Sequence, residues 1–400
     1  MTRGIPRRAR RDRRRSRARP PRWPGRRRPS RRPTAARAAE PERRAAQRRR
    51  SRTCFVHVPP FALRCHRAGR PSRRARLRGT WRWRTLRGVD AIDPGLLSNR
   101  LPQIEAVLAR LAPSARERLL EPLLAFVADV SEPLLARISA GTALGLIGDP
   151  RIDPLRPRMC RVPAGRFWMG TDLAEVAELA RRWNVPEAWF EKSTPRRQVE
   201  LDAFEIAVHP VTEAEWARFL AETGVDEIPA HWPSGVPARG RANHPVFGVS
   251  WQAILLYVEW LSEQTGTTFR VPTEPEWERA ARGTDARAHP WGEAFSASRC
   301  NTREGGIGGT TPVGVYPDGA SPCGALDMAG NVEEIVADLY RPYPGSKFAD
   351  PDYGSYRVTR GGVYTLDGDL ARCDRRHGAA FAGPTGVRLA RSAAHGWQGR

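Results

Sequence analysis

Asp327 and Glu334 stand seven residues apart in the stretch Gly324-Ala325-Leu326-Asp327-Met328-Ala329-Gly330-Asn331-Val332-Glu333-Glu334. With the carbonyls of Gly330 and Val332 between them, they offer the mixed side-chain and backbone oxygen shell that calcium prefers; a solvated acidic turn is the alternative. Further on, Arg360, Arg372, Asp374, Arg375, Arg376 and His377 gather four guanidiniums and an imidazole. Guanidiniums hold carboxylates and phosphates through paired N–H donors, so Arg372, Arg376 and His377 are candidate catalytic or substrate-holding residues. The same pattern also describes the outward face of a strand. Of the six cysteines (54, 65, 160, 300, 323 and 373), none forms a CxxC pair, so thiols in a reducing, cytoplasmic setting are expected. The grouping of Cys54, His57, Cys65 and His66 fits no common zinc spacing.

These residues sit in a body whose charge differs sharply from that of its N-terminus. Residues 1–88 carry 33 arginines against three acidic residues, whereas the remainder is mildly acidic. An Arg/Pro-rich segment of this kind is read as a disordered tail that binds polyanions non-specifically by counterion release, or as translation from a wrongly placed start codon. In the second case the true start is expected between about residues 75 and 100. No apolar run is long enough to span a membrane, so no membrane partner is expected.

Helical spacing then appears at Ile104, Val107, Leu108 and Leu111, and again at Leu119, Leu120, Leu123, Leu124 and Val127. A third helix is expected with Ser131 as cap, Pro133 in its first turn and Gly148 as stop. Its small residues, Ala140 to Gly145, resemble a HEAT-type repeat helix that needs a neighbour to cover its apolar face. From about residue 155 the texture becomes short strands, Gly/Pro turns and frequent Trp. Thr212 and Ser250 are expected to cap two helices, and Glu276 to Arg282 to form a short third.

Val162-Pro163-Ala164-Gly165-Arg166-Phe167-Trp168-Met169-Gly170, His209-Pro210-Val211-Thr212, Val249-Ser250-Trp251, Val271-Pro272-Thr273-Glu274-Pro275-Glu276-Trp277-Glu278-Arg279-Ala280-Ala281-Arg282-Gly283, the Asp327 stretch and Arg360-Gly361-Gly362 occur in that order. The ordered set, over roughly residues 158–390, resembles the formylglycine-generating enzyme family, also called the sulfatase-modifying-factor domain. The resemblance implies an α+β, C-type-lectin-like fold with little regular secondary structure. It also implies a structural calcium at the positions of Asp327, Gly330, Val332 and Glu334. A second family calcium site would begin at Asn301-Thr302, but a Gly-rich stretch from Glu304 to Gly309 replaces the loop that carries its carboxylate.

Active members hold copper(I) on two cysteines spaced C-x4-C just after Gly-Gly-Ser and oxidise a substrate cysteine with oxygen. Here Val363 replaces the serine, and the cysteine positions fall on Leu366 and Ala371, so copper is not expected. A second branch of the family uses non-haem iron on histidines and a carboxylate, and this chain lacks the H-x3-H-x-E helix that branch requires. His244 and His289, each before a proline, fall where the family has turns and are expected to be structural.

The expected organisation is therefore a 1–88 tail, an 89–154 HEAT-like helical segment and a 155–394 formylglycine-generating-enzyme-like domain. The expected function is a calcium-stabilised, non-catalytic binding module for a protein or peptide partner. The alternatives are a formylglycine-type oxidoreductase or an enzyme using the Arg/His cluster.

Overall fold

The computed structural model describes residues 101–232, 234–378 and 383–393. The Arg/Pro-rich stretch, the Cys54/His57/Cys65/His66 group and the region of the expected alternative start lie outside the described residues. Four helices come first: α1 (Leu101–Ala109), α2 (Pro113–Glu117), α3 (Leu120–Ala128) and α4 (Leu134–Ile147). Their apolar faces meet through Ile104, Leu108, Leu123, Val127, Ile138 and Leu144. Helix α4 starts after Pro133 rather than on a Ser131 cap. The Ser131 N–H and hydroxyl turn back to Asp129 Oδ1 instead, at 2.9 and 2.6 Å.

The helices do not close their core alone, because Val315 and Tyr316 from the following segment complete it. Arg137 Nη1 donates to the Val315 carbonyl (2.8 Å), and Asn243 Nδ2 donates to Gly141 O (2.8 Å) and Asp149 Oδ2 (2.7 Å). A Cβ at Gly141 would lie 2.8 Å from Pro312 Cβ, so glycine is what lets α4 approach this loop.

The rest of the chain runs β1 (Met159–Val162), β2 (Gly165–Met169), α5 (Val176–Trp183), α6 (Ala188–Glu191), β3 (Arg197–Leu201), β4 (Phe204–Ala207), α7 (Glu213–Thr223), α8 (Trp251–Thr265), α9 (Glu274–Arg282), β5 (Glu333–Leu339), β6 (Arg357–Arg360), β7 (His377–Gly378), β8 (Thr385–Val387) and β9 (Ala390–Ser392). The strands form three small sheets, in the orders β1-β4-β9, β2-β3 and β7-β6-β5-β8, all antiparallel except the β5-β8 pair. Trp216, Phe219, Tyr257 and Trp260 interlock α7 with α8, their rings 5.1 to 5.7 Å apart where they meet. Trp277 on α9 is fully buried in a second cluster with Phe204, Ile206, Val336 and Tyr340. Trp251 is only partly buried, and the Arg357 guanidinium lies over its ring at 3.7 Å.

Capping sets the helix starts. Thr212 and Thr273 each form a reciprocal box with a glutamate three residues on, and Ser250 accepts from Ala253 N. In the α7 box, the Glu215 carboxylate accepts from Thr212 N and Oγ1, both at 2.6 Å. Burial outweighs those bonds and pushes its pKa up to about 7. Between its unfolded value near 4.5 and about 7, the folded protein keeps a proton that the unfolded chain has released. Stability therefore falls as pH rises through that window, by on the order of 3 kcal/mol from this group. Glu215→Gln, which keeps an acceptor for the cap, is expected to flatten this slope in urea titrations at pH 5 and 8. An unchanged slope would place the titration elsewhere.

Candidate functional site

The chemistry-bearing residues converge on the buried face of α9. Pro275 in its first turn and the Thr273 box fix where this helix starts. Glu274, Glu278 and Arg282, four residues apart, then share one inward face. Glu274 accepts from Arg376 (2.6 and 3.0 Å), Arg360 Nη1 (3.0 Å) and the Tyr343 hydroxyl (3.2 Å). Glu278 accepts from Gly170 N (2.7 Å) and Arg282 Nη1 (2.8 Å), and its other oxygen takes Arg360 Nη2. Beside them Asp374 accepts from Arg372 (3.1 and 3.0 Å) and from Thr171 Oγ1 (2.9 Å).

All of these charges are buried. Burial pushes the carboxyls of Glu274 and Asp374 up, but the surrounding arginines win and hold both below the ordinary carboxylate range. Glu274 responds to Arg376 and Arg360, and Asp374, held far lower, to Arg372 and Arg282. Arg360, Arg372, Arg375 and Arg376 therefore do not stand on an outward strand face. The structure brings the candidates Arg372 and Arg376 into an interior ion-pair network. It leaves His377 half-buried at its edge, with Nε2 2.7 Å from Glu333 Oε1.

Of the four calcium candidates, the carboxylates of Asp327 and Glu334 already accept hydrogen bonds. Both Glu334 oxygens accept from Arg388 (2.8 and 2.5 Å), and Oε2 also accepts from Trp277 Nε1 (2.6 Å). Asp327 Oδ2 accepts from Gly314 N (2.7 Å) and lies 3.7 Å from His209 Nδ1. Gly330 adopts a φ of +75°, and a Cβ there would collide with Asn301 O at 2.3 Å, so this glycine is required by close backbone approach. Glu334 is thus not free to enter a calcium shell, because both its oxygens accept from a buried guanidinium. At the Asn301-Thr302 end, Asn301 Oδ1, Thr302 Oγ1 and Thr311 Oγ1 are buried without donors, but they bring no carboxylate. Among the described residues, no three His, Cys, Asp or Glu side chains are grouped to hold a metal.

Val363 is buried, Leu366 is 38% exposed and Ala371 is fully buried against Cys300 and Ala329, with Trp291 and Phe295 covering them. Cys373 is also fully buried, and burial pushes its thiol up to about 12, so it is a thiol at neutral pH. His289, brought down to about 4 by burial, is neutral; its Nδ1 donates to Ala371 O (3.3 Å) while its ring stacks on Trp291. His244 is buried against Thr310 Oγ1 at 3.0 Å.

Two clefts border this interior network. One, of about 260 Å³, is lined by Trp183, His289, Phe295 and Arg372. The other, of about 270 Å³, is lined by Trp189, Lys192, Asp350, Asp352, Arg375 and His377. The sequence reading missed the helices that build them. Asp172, whose side chain accepts from Ala174 N, together with Val176, Leu179, Ala180 and Trp183 at helical spacing, was the available signal for α5.

The family model described as the sulfatase-modifying factor enzyme 1-like domain matches residues 149–393. The serine/threonine-protein kinase pkn1 of Chlamydia pneumoniae is 32% identical over 57% of this chain and 36% of its own length. A hercynine oxygenase of Mycolicibacterium thermoresistibile is 31% identical over 60% of this chain and 58% of its own. The formylglycine-generating enzyme of Streptomyces coelicolor is 31% identical over 58% of this chain and 86% of its own. The chain thus spans between about a third and three-fifths of the first two relatives. Among solved structures, PvdO from Pseudomonas aeruginosa is 28% identical, covering 60% of this chain and 95% of its own, with a TM-score of 0.49. With the motifs in order, the mixed α+β C-type-lectin-like fold in place and a family match over more than half its length, this chain belongs to the sulfatase-modifying factor enzyme 1-like domain family.

Proposed function

We propose that this chain uses the family fold as a non-catalytic binding module for a protein or peptide partner, with the α1–α4 segment as a docked, HEAT-like helical adaptor. The observation that carries the reading is the replacement at the family's copper positions. Leu366 and Ala371 offer no thiolate, Ala371 is sealed beneath Trp291 and Phe295, and the thiol of Cys373 is fully buried. Soft thiolates are the ligands copper(I) selects, so a site without a pair of them has no means of holding the ion. The Arg/His cluster supports the same reading, since Arg360, Arg372 and Arg376 already answer carboxylates of the same chain.

Titration of the full chain with copper(I) under reducing conditions, followed by mass spectrometry, is expected to show no stoichiometric metal. A cysteine-containing peptide incubated with that sample and oxygen is expected to return unchanged. One tightly held copper per chain, or peptide oxidation, would overturn the proposal in favour of a formylglycine-type oxidoreductase. The same chain on a phosphate polymer column tests the tail: binding that vanishes at moderate salt is non-specific polyanion attraction.

A further inference from the structure

The cleft beside α6 differs from the interior network in one respect. Its cations are incompletely paired. Arg375 is 2% exposed and makes one ion pair, Nη2 to Asp369 Oδ2 at 3.1 Å, while its buried Nε and Nη1 find no acceptor among the described residues. The guanidinium is held over the Phe190 ring at 4.7 Å and near that of Trp189 at 5.8 Å. Lys192, which also lines the cleft, forms no ion pair among the described residues. Burial lowers the pKa of both cations; Arg375 lowers that of Lys192 further, while Asp350 and Asp352 act the other way.

Asp350 and Asp352 stand in the same cleft without a Lys or Arg within ion-pairing distance among the described residues. Asp350 is fixed by the Tyr340 hydroxyl (2.8 Å) and by accepting from Asp352 N (3.0 Å). Trp189, 40% exposed, supplies an apolar wall. A buried guanidinium with free N–H groups is costly unless an anion meets it. A cleft lined by both cations and carboxylates suits a ligand bearing both charges. Its volume, below that of drug-sized sites, suits a single residue.

We propose that this cleft binds a ligand carrying a carboxylate and a cationic side chain, as a free basic amino acid or a chain end with a C-terminal Lys or Arg does. Arg375 and Lys192 take the carboxylate, Asp350 and Asp352 take the cation, and the aliphatic stem lies on Trp189. The inference rests on the binding-module reading and gives it a site.

Calorimetric titration of the full chain tests it with four probes: L-lysine, Nα-acetyl-L-lysine, Nα-acetyl-L-norleucine and Nα-acetyl-L-lysine amide, with inorganic phosphate as a fifth. Saturable one-to-one binding of L-lysine or of Nα-acetyl-L-lysine is expected, weakened about tenfold or more when either the carboxylate or the side-chain ammonium is removed. Tighter binding of the acetylated form points to a chain end, and tighter binding of the free form to an amino acid. Lys192→Gln is expected to weaken binding about tenfold and Arg375→Gln to abolish it; Lys192→Gln decides the matter should the buried Arg375 variant not fold. No saturable binding by any lysine probe, indifference to Lys192→Gln, or a preference for phosphate would overturn the proposal. Copper(I) uptake alongside intact lysine binding would instead remove the non-catalytic reading and leave the site standing.

Discussion

Glu334→Ala is expected to destabilise the protein by about 3 to 5 kcal/mol, and by the same amount with and without a calcium chelator. The carboxylate it removes is the counter-charge of Arg388, whose side chain is fully buried and whose remaining N–H groups go to the carbonyls of Ala207, Val208 and Leu326. It also accepts from the indole of Trp277, at the centre of the second core cluster. Alanine leaves the buried Trp277 indole N–H without an acceptor and the buried Arg388 guanidinium with carbonyl partners but without its ion-pair carboxylate, which is the costly case for interior polar groups. Urea unfolding in buffered calcium and in chelator provides the check. A loss confined to the calcium sample would return Glu334 to a metal-holding role.

Glu278→Ala is the companion experiment on the other side of α9. Glu278 answers Arg282 and Arg360 and accepts from the Gly170 amide, so its removal takes the ion-pair partner of Arg282 and one of the two carboxylates of Arg360. A loss of about 3 to 5 kcal/mol is expected, a large share of the stability typical of a folded domain. Because much of that loss is the penalty of uncompensated charge, adding Arg360→Met to the alanine variant is expected to recover part of it. The decisive measurement is the pair of urea midpoints. A double variant no more stable than the single one would mean that Arg360 contributes chiefly by its packing over Trp277, 5.3 Å away.

These two residues also show where sequence stops informing. The helix starts at Thr212 and Ser250 were legible because caps are local, a hydroxyl followed by an apolar face being enough, whereas the helix expected from Glu276 begins two residues earlier behind a Thr273 cap. Ser131 misled because Asp129, two residues back, competes for its hydroxyl and amide. The arginine cluster was visible as composition but not as environment, since the carboxylates that neutralise Arg360 and Arg376 come from α9, about a hundred residues earlier in the chain for Arg376. Nothing local separates an arginine facing water from one facing Glu274. Nor does the sequence around Glu334 show its partner, since Arg388 lies 54 positions away.

The segment packed beneath α4 ties together parts of the chain that sequence order keeps apart. Val313 N donates to Asn243 O, while Thr311 N reaches Asn331 Oδ1 and Gly314 N reaches Asp327 Oδ2. Asn243 is in turn the residue that grips Gly141 and Asp149. Lifting α4 therefore removes the cover of Pro312 and loosens three amides whose acceptors lie in two distant turns. Those amides and the interior of α4 are therefore expected to share one opening free energy in native-state hydrogen exchange. The same turn takes the first amides of α7, Glu213 N on His244 O and Ala214 N on Ala242 O, so a tug on the helices reaches the start of α7 as well as Asn331.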